Sequence, residues 1–297
     1  MPQAQTTRGD NALFGLVRTM RPRHWLKNVL VLAAPFAGGT ILHPPVLAAV
    51  GIAFVAFSFA ASGIYLVNDV QDVEADRAHP TKRNRPIAAG VVPPRLALAV
   101  AVVLLVAAIG VSLLASTDLV LVTSIYIAVQ LAYCWGLKHQ PVLDICIVAS
   151  GFLLRAIAGG AAGGIAPSQW FLLTTAFGSL FMVAGKRYAE IRLAERTGAK
   201  IRKSLESYTA SYLCFVWTLS ATGVIMTYGL WAFQLGQTNH SRWPVISLVP
   251  FVIAVLHYTV DVDGGNGGEP EEIAISDSVL QILGAFLVLT LIAAIYF

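Results

Sequence analysis

Charged side chains are scarce in this sequence, since Asp, Glu, Lys and Arg make up only 12% of its 297 residues while hydrophobic residues make up 57%. A water-soluble core of this size needs fewer apolar residues, so the composition excludes an ordinary soluble protein. Cysteine is also scarce, and the spacing of Cys134, Cys146 and Cys214 argues against disulfides or a cysteine metal site. We expect all three to be small buried side chains within apolar helices.

The first 23 residues lack an apolar run before a small-residue cleavage site, so no cleavable signal peptide is expected. Long uncharged runs fill most of the remaining chain, and a bilayer core takes about 20 residues of helix to cross. Two of these runs are broken, one by the sequence HPP at 43–45 and one by the glycine-rich segment 159–167. The sequence therefore predicts an all-α polytopic membrane protein with nine transmembrane helices, near residues 24–42, 46–68, 96–117, 119–137, two within 142–185, 208–233, 243–260 and 278–297.

The distribution of positive charge predicts the orientation of these helices. If the N-terminus is cytoplasmic, nine spans place every Lys and Arg except Arg155 and Arg242 on the cytoplasmic side, as positive-inside topology requires. The C-terminus then lies outside. The net charge of +4 follows from this topology, so anionic lipid head groups are the expected partners and nucleic acid is not. The expected organisation is a cytoplasmic segment, 1–23, and a single membrane domain, 24–297, with cytoplasmic active-site loops at 69–95 and 186–207.

Three aspartates are predicted to share one face at the cytoplasmic end of the second helix. If that helix continues past Asn68, then Asp69, Asp72 and Asp76 fall within about 60° of one another, and Glu74 points to the opposite side. Carboxylates this close repel one another unless a cation lies among them. Carboxylate, water and phosphate oxygens are the ligands that Mg²⁺ prefers, so the three aspartates are candidate metal ligands and catalytic residues.

Three basic residues, Lys82, Arg83 and Arg85, follow the aspartates and are candidates for binding the phosphates of a substrate. The alternative is a solvated loop with balanced charges. That alternative does not explain why three aspartates share one helical face beside the amide of Asn68.

The segment from Asn68 to Gly90 resembles the first Asp-rich motif, and the basic segment after it, of the UbiA-type intramembrane prenyltransferases. Asn68, Asp69, Asp72 and Asp76 match the motif, and the segment RPRHWLKN at 21–28 also resembles this family. The resemblance implies a nine-helix UbiA-like bundle. It also implies an isoprenoid diphosphate that is bound through Mg²⁺ by two Asp-rich motifs, the second of which follows helix 6.

The second motif departs from the family pattern, because its place holds Lys186, Arg187, Glu190 and Glu195 instead of a run of aspartates. The candidates for substrate binding here are Lys186, Arg187, Tyr188 and Glu190, with Lys186 or Arg187 expected to bind a phosphate of the donor. One acidic and one mixed basic motif suit a donor that carries a diphosphate and a further phosphate. The chain closely resembles the branch of the family whose members transfer the 5-phosphoribosyl group of phosphoribosyl diphosphate to decaprenyl phosphate. That resemblance implies release of diphosphate and a role in making the precursor of cell-wall arabinan.

Further candidates for substrate binding lie near the ends of other helices. Four residues at the cytoplasmic end of the first helix are placed to hold a phosphate, namely Arg21, Arg23, Lys27 and Asn28, although positive-inside topology alone also accounts for the basic residues there. Arg155 is a charge within an apolar helix and needs a partner. Asp144 lies about three turns earlier, which is too far for direct pairing, so each residue either binds a neighbouring helix or faces the substrate cavity.

Two other functions remain open at this point. One is a UbiA-type prenyltransferase that uses a prenyl diphosphate and an apolar or aromatic acceptor. The other is a transporter of an ion or a phosphorylated solute, which fits less well because the acids cluster at one face instead of at mid-membrane.

The expected cofactor is Mg²⁺, with Mn²⁺ as an alternative. The expected location is the plasma membrane with a cytoplasmic active site, and a homo-oligomer is allowed.

Overall fold

The computed structural model describes residues 12–198, 205–264, 273 and 276–296, and this part of the chain is helical without strands. The predicted all-α class is therefore confirmed. The parts of the predicted segments that fall on 1–11, 199–204 and 297 lie outside the described residues. The α-helices are α1 (Ala12–Met20), α2 (Ala33–Ala37), α3 (Pro44–Gln71), α4 (Val73–Ala78), α5 (Pro94–Ser112), α6 (Thr117–Cys134), α7 (Leu143–Gly163), α8 (Gln169–Thr197), α9 (Ala210–Thr238), α10 (Trp243–Gly264) and α11 (Ser278–Tyr296).

Local sequence signals explain where several helices begin. Proline occupies the first turn of α3 and of α5, where its missing N–H costs no helical hydrogen bond. The hydroxyls of Ser116, Ser168 and Thr209 accept hydrogen bonds from the first-turn amides of α6, α8 and α9. The glycine-rich break predicted within 142–185 lies where α7 ends and α8 begins.

Seven helices in the described part of the chain are long and apolar enough to cross a membrane, namely α3, α5, α6, α7, α9, α10 and α11. Large apolar side chains such as Val103, Val106, Ile282 and Leu289 are exposed on them, as expected for surfaces that face lipid. Predicted span 6 corresponds to α8, whose second half carries charge. The total of nine spans and the orientation of the termini stay predictions.

The first predicted span, 24–42, is not the single α-helix that we expected. It consists of a 3-10 helix, Pro22–Leu32, followed by the short α2. Pro35 lacks an N–H and so cannot complete the α-helical bond to the carbonyl of Val31. That carbonyl instead packs against α7 at Gly159, where an added Cβ would lie only 1.7 Å from the Val31 oxygen.

Two further expectations need correction. Much of the predicted loop 186–207 is helical, because α8 continues without a break to Thr197. The predicted burial of cysteine holds for Cys134, whereas Cys146 and Cys214 are exposed. Both of these lie on helices that present apolar surface outward, where a small hydrophobic side chain suits lipid as well as it suits a core.

Candidate active site

The three aspartates lie at the junction of α3 and α4. Asp69 is in the last turn of α3, Asp72 lies between the two helices, and Asp76 is in α4. The Asp72 amide donates to the Asn68 carbonyl at 2.9 Å, and the Asp76 amide donates to the Asp72 carbonyl at 2.8 Å. Helical hydrogen bonding therefore continues across the junction and keeps these side chains near one another.

Each of these carboxylates contacts a basic side chain from another segment. The Arg85 guanidinium bridges two of them, with Nη1 at 2.7 Å from Asp76 Oδ2 and 3.3 Å from Asp69 Oδ1. Arg21 also reaches Asp69 Oδ1, at 2.6 Å, and the Lys138 ammonium pairs with Asp72. Asp69 and Asp76 are buried, and pairing is what makes buried carboxylates tolerable.

Glu74 differs from the three aspartates, as its position on the helix predicts. Its side chain is 83% exposed, and it pairs with the nearby Arg77, at 2.9 Å. Asn68 belongs with the aspartates, because its Nδ2 donates to Asp72 Oδ2 at 3.1 Å. The amide thereby helps to fix the orientation of the Asp72 carboxylate.

A cavity of about 250 Å³ opens beside the buried Asp69. Four basic side chains and one carboxylate contribute to its wall, which suits the oxygens of a phosphorylated ligand. Arg83 is exposed and is not among the residues that line it. The lining residues are Arg18, Thr19, Arg21, Asp69, Thr81, Lys82, Asn84, Arg85 and Pro86.

Arg155 is buried in the helical bundle, where it contacts neutral polar groups. Its Nε donates to Asn28 Oδ1 at 2.7 Å, and its Nη2 donates to the Tyr126 hydroxyl at 3.1 Å. The Asn28 amide donates in turn to Ser58 Oγ at 3.0 Å. Lys27, next to Asn28, has its ammonium 5.9 Å from the centre of the Phe152 ring. Arg155 thus joins α7 to the first predicted span and to α6.

Arg187 and Asp144 form an ion pair of 2.9 Å that joins α8 to α7. Tyr208 donates its hydroxyl hydrogen to the other oxygen of Asp144, and the same hydroxyl accepts from the Val142 amide at 2.6 Å. Burial and the hydrogen bond to Asp144 both raise the pKa of Tyr208, so this tyrosine stays neutral and keeps its proton. Asp144 was expected either to bind a neighbouring helix or to face the substrate cavity, and its ion pair with Arg187 is a contact with a neighbouring helix.

The other candidates on α8 do not point the same way. Tyr188 is buried, stacks on Trp217 at 5.3 Å between ring centres, and donates to Asp263 Oδ1 at 2.8 Å. Lys186 and Glu190 are only partly buried. The structure therefore places Tyr188 against α9 and α10, while Arg187 reaches α7.

Arg21, Lys138 and Tyr208 complete contacts of the candidate residues, and none of these three contacts was predicted from the sequence. Lys138 lies 66 residues from its partner Asp72, so spacing along one helix gave no signal for the pair. Arg21 was considered only as a phosphate ligand. Its backbone has φ of 53° and ψ of 61°, a left-handed conformation that is uncommon for a residue other than glycine.

Asp69, Asp72 and Asp76 supply the carboxylate oxygens that a hard divalent cation prefers. Asp69 and Asp76 share Arg85 while Asp72 pairs with Lys138, so the three carboxylates have to converge to hold one ion. The basic side chains of Arg21, Arg85 and Lys138 balance the negative charge of these oxygens. They are also long and flexible enough to turn from a carboxylate to the phosphate of a ligand.

The chain matches the UbiA prenyltransferase family over residues 29–274. It is 60% identical to a Mycolicibacterium smegmatis protein named decaprenyl-phosphate phosphoribosyltransferase, with 99% of this chain and 97% of that protein covered. A Corynebacterium glutamicum protein of the same name is 58% identical, with 96% and 88% covered. A solved structure of a UbiA homologue from Archaeoglobus fulgidus bound to GPP and Mg²⁺ is 16% identical with a TM-score of 0.69, covering 95% of this chain and 100% of that one. The predicted UbiA-like fold is thus confirmed, and the chain belongs to the UbiA prenyltransferase family.

Proposed function

We propose that this membrane protein transfers the 5-phosphoribosyl group of phosphoribosyl diphosphate to a polyprenyl phosphate, decaprenyl phosphate in particular, and releases diphosphate. The observation that carries the proposal is the cavity beside Asp69, whose wall holds Arg18, Arg21, Lys82 and Arg85. Four basic side chains suit a donor that has a third phosphate besides its diphosphate. The names of the relatives at 58% and 60% identity support the same reaction.

In this reaction the bond between ribose C1 and the diphosphate oxygen breaks, and a phosphate oxygen of the lipid forms the new bond to C1. Positive charge develops on the sugar and negative charge on the leaving diphosphate, as in glycoside cleavage. The lipid phosphate is already an anion at neutral pH, so the protein needs to position it and does not need a strong general base.

Asp69, Asp72 and Asp76 are the residues that would hold Mg²⁺, or Mn²⁺ in its place. When bound, the ion neutralises charge on the diphosphate leaving group. Arg85 and Arg21 now bind the carboxylates, and in the complex with the donor they turn toward its phosphate oxygens. The Lys138 ammonium pairs with Asp72 and orients its carboxylate.

The remaining candidates divide between the two substrates. Lys82, which lines the cavity, and Lys186 bind phosphate oxygens of the donor, and Glu190 binds a ribose hydroxyl. Lys27, Asn28 and Arg155 form a second polar region deeper in the bundle, where the positive charge of Arg155 suits the phosphate of the lipid. The polyprenyl chain lies against apolar helix surfaces. The protein is located in the plasma membrane with this site facing the cytoplasm, where phosphoribosyl diphosphate is available.

Purified protein in detergent tests the proposal when it receives phosphoribosyl diphosphate, decaprenyl phosphate and Mg²⁺. Mass spectrometry should detect decaprenyl-linked phosphoribose and free diphosphate. A parallel reaction replaces the donor with geranyl diphosphate. Consumption of the prenyl diphosphate, with no reaction of phosphoribosyl diphosphate, would assign the chain to the ordinary prenyltransferases of this fold instead.

A further inference from the structure

A cluster of side chains of the types that can ligate a metal ion lies on helices that do not carry the candidate aspartates. His257 and Asp261 are one turn apart on α10, and Asp277 immediately precedes α11. In the described part of the chain, these three residues are the set whose potential ligand atoms lie within 4.8 Å of one another. Neither the proposed transfer reaction nor the positive-inside topology accounts for them.

The distances in this cluster are close to those around a bound metal ion. His257 Nε2 is 3.1 Å from Asp277 Oδ2 and 4.0 Å from Asp261 Oδ2. Nitrogen and oxygen ligands at about 2.0 to 2.1 Å from a tetrahedral ion lie about 3.3 Å from one another. Shifts of less than 1 Å in side-chain position would therefore bring all three atoms onto one ion.

One buried oxygen atom of the cluster has no polar partner that would compensate for its burial. Asp261 Oδ2 is inaccessible to solvent and has no hydrogen-bond partner. Burying an unsatisfied carboxylate oxygen is costly, and a metal ion would satisfy it. His257 cannot do so, because its ring nitrogen is 4.0 Å away.

Asp277 is oriented for ligation by the helix that it precedes. Its Oδ1 accepts a hydrogen bond from the Leu280 amide at 2.7 Å and so caps the N-terminus of α11. That bond leaves Oδ2 directed at His257. A hydrogen bond to the second oxygen of a ligating carboxylate is the usual way in which proteins fix the position of such a ligand. His257 and Asp277 are partly exposed, which gives an ion access from solvent.

We propose that His257, Asp261 and Asp277 bind one divalent transition-metal ion, Zn²⁺ being the ion that fits best, and that this ion fastens α10 to α11. An imidazole ligand favours Zn²⁺ and similar ions over Mg²⁺, which prefers oxygen ligands only. Three protein ligands leave one position of a tetrahedral ion for water.

The ion also stabilises the end of α10, which contacts α8. Asp263 accepts a hydrogen bond from Tyr188 through Oδ1, and the carbonyls of Asp263 and Gly264 accept from Arg196 at 3.1 Å each. The ion would therefore reinforce the end of α10 that packs on α8.

Metal-free protein should be titrated with Zn²⁺ alone, and the bound metal measured by inductively coupled plasma mass spectrometry after gel filtration. The expected result is one tightly bound Zn²⁺ per chain and a melting temperature that rises with Zn²⁺. Asp261→Asn and His257→Gln should each weaken Zn²⁺ binding by about 100-fold or more, since each removes a ligand. Asp277→Asn should disturb the fold least of the three variants, because the asparagine side chain can still cap the N-terminus of α11.

Two controls separate this site from the other acids of the chain. Asp118→Asn removes an exposed carboxylate from the first turn of α6 and should leave Zn²⁺ binding unchanged. Asp72→Asn should impair transfer activity and also leave tight Zn²⁺ binding unchanged. Co²⁺ should give visible d–d absorption in wild-type protein that is lost in the cluster variants. Equal Zn²⁺ binding by wild-type, His257→Gln and Asp277→Asn proteins would overturn the proposal and leave an ordinary His–Asp contact.

Discussion

Arg187 forms a 2.9 Å ion pair with Asp144, and both side chains are buried. Arg187 lies on α8, in the place of the second family motif. We expected Arg187 to bind a phosphate, and in the structure it pairs with a carboxylate of α7. Lys186, its neighbour in sequence, is only partly buried. Replacement of Arg187 and replacement of Lys186 should therefore have different effects on stability and on donor affinity.

Arg187→Ala should lower stability more than it lowers donor affinity. It leaves the Asp144 carboxylate buried without its cation, a change that typically costs about 3 to 5 kcal/mol. Lys186→Ala should instead raise the KM for phosphoribosyl diphosphate by about tenfold, the value of one lost charge-assisted phosphate contact. Thermal unfolding in detergent and steady-state kinetics measure the two effects. A stable Arg187→Ala protein with a raised donor KM would show that Arg187 binds the donor.

Asp69→Asn and Asp72→Asn should each reduce transfer by at least about 100-fold while the protein remains folded, because each removes a charge directed at the metal and little volume. Glu74→Gln is the matched control. It removes the same charge from an 83% exposed side chain and should keep most of the activity. Activity assays on detergent-purified variants with equal melting temperatures make the comparison. Equal losses in all three variants would contradict the assignment of one helical face to the site.

The general architecture could be predicted from the sequence because it depends on local properties. Uncharged runs of sufficient length identify the membrane helices, and the glycine-rich segment 159–167 marks the boundary of α7 and α8. The relation among Asp69, Asp72 and Glu74 also follows from helical spacing alone. Nothing in these inferences requires knowledge of which helices are neighbours.

The remaining contacts could not be predicted, because they join residues that are distant in sequence. Lys138 meets Asp72 across 66 residues, and Arg155 meets Asn28 across 127. The 3-10 form of Pro22–Leu32 likewise depends on packing against α7. Hydrophobic periodicity indicates which face of a helix is apolar, but not which partner that face meets.

Removal of divalent metal should stop the transfer reaction. EDTA is expected to abolish formation of decaprenyl-linked phosphoribose, and excess Mg²⁺ should restore it, since the aspartate cluster then regains its cation. Mn²⁺ should restore activity as well, because it accepts the same oxygen ligands. Product formation measured by mass spectrometry with and without chelator is the test. Full activity in the presence of EDTA would rule out the metal role of the three aspartates.

Gly159→Ala should severely destabilise the protein, because the new Cβ would lie 1.7 Å from the Val31 oxygen and 2.7 Å from its carbonyl carbon. Both atoms belong to the backbone, so no side-chain rotation can relieve the contact. Overpacking in a core usually costs about 1 to 3 kcal/mol, and a backbone clash this short should cost at least the upper value. Separation of Pro22–Leu32 from α7 would also displace Asn28 from Arg155, so transfer activity should fall together with the melting temperature.

Gly110→Ala provides the matched control for this change. Gly110 is also within an apolar helix, α5, but an added Cβ there meets no atom within 4 Å. Alanine has the higher helix propensity, so this variant should be at least as stable as wild-type protein. Expression in membranes and thermal unfolding in detergent compare the two variants. A Gly159→Ala protein that matched Gly110→Ala in both measurements would mean that the first segment does not pack on α7 through this glycine, and the connection of Asn28 to Arg155 would then have to be abandoned as well.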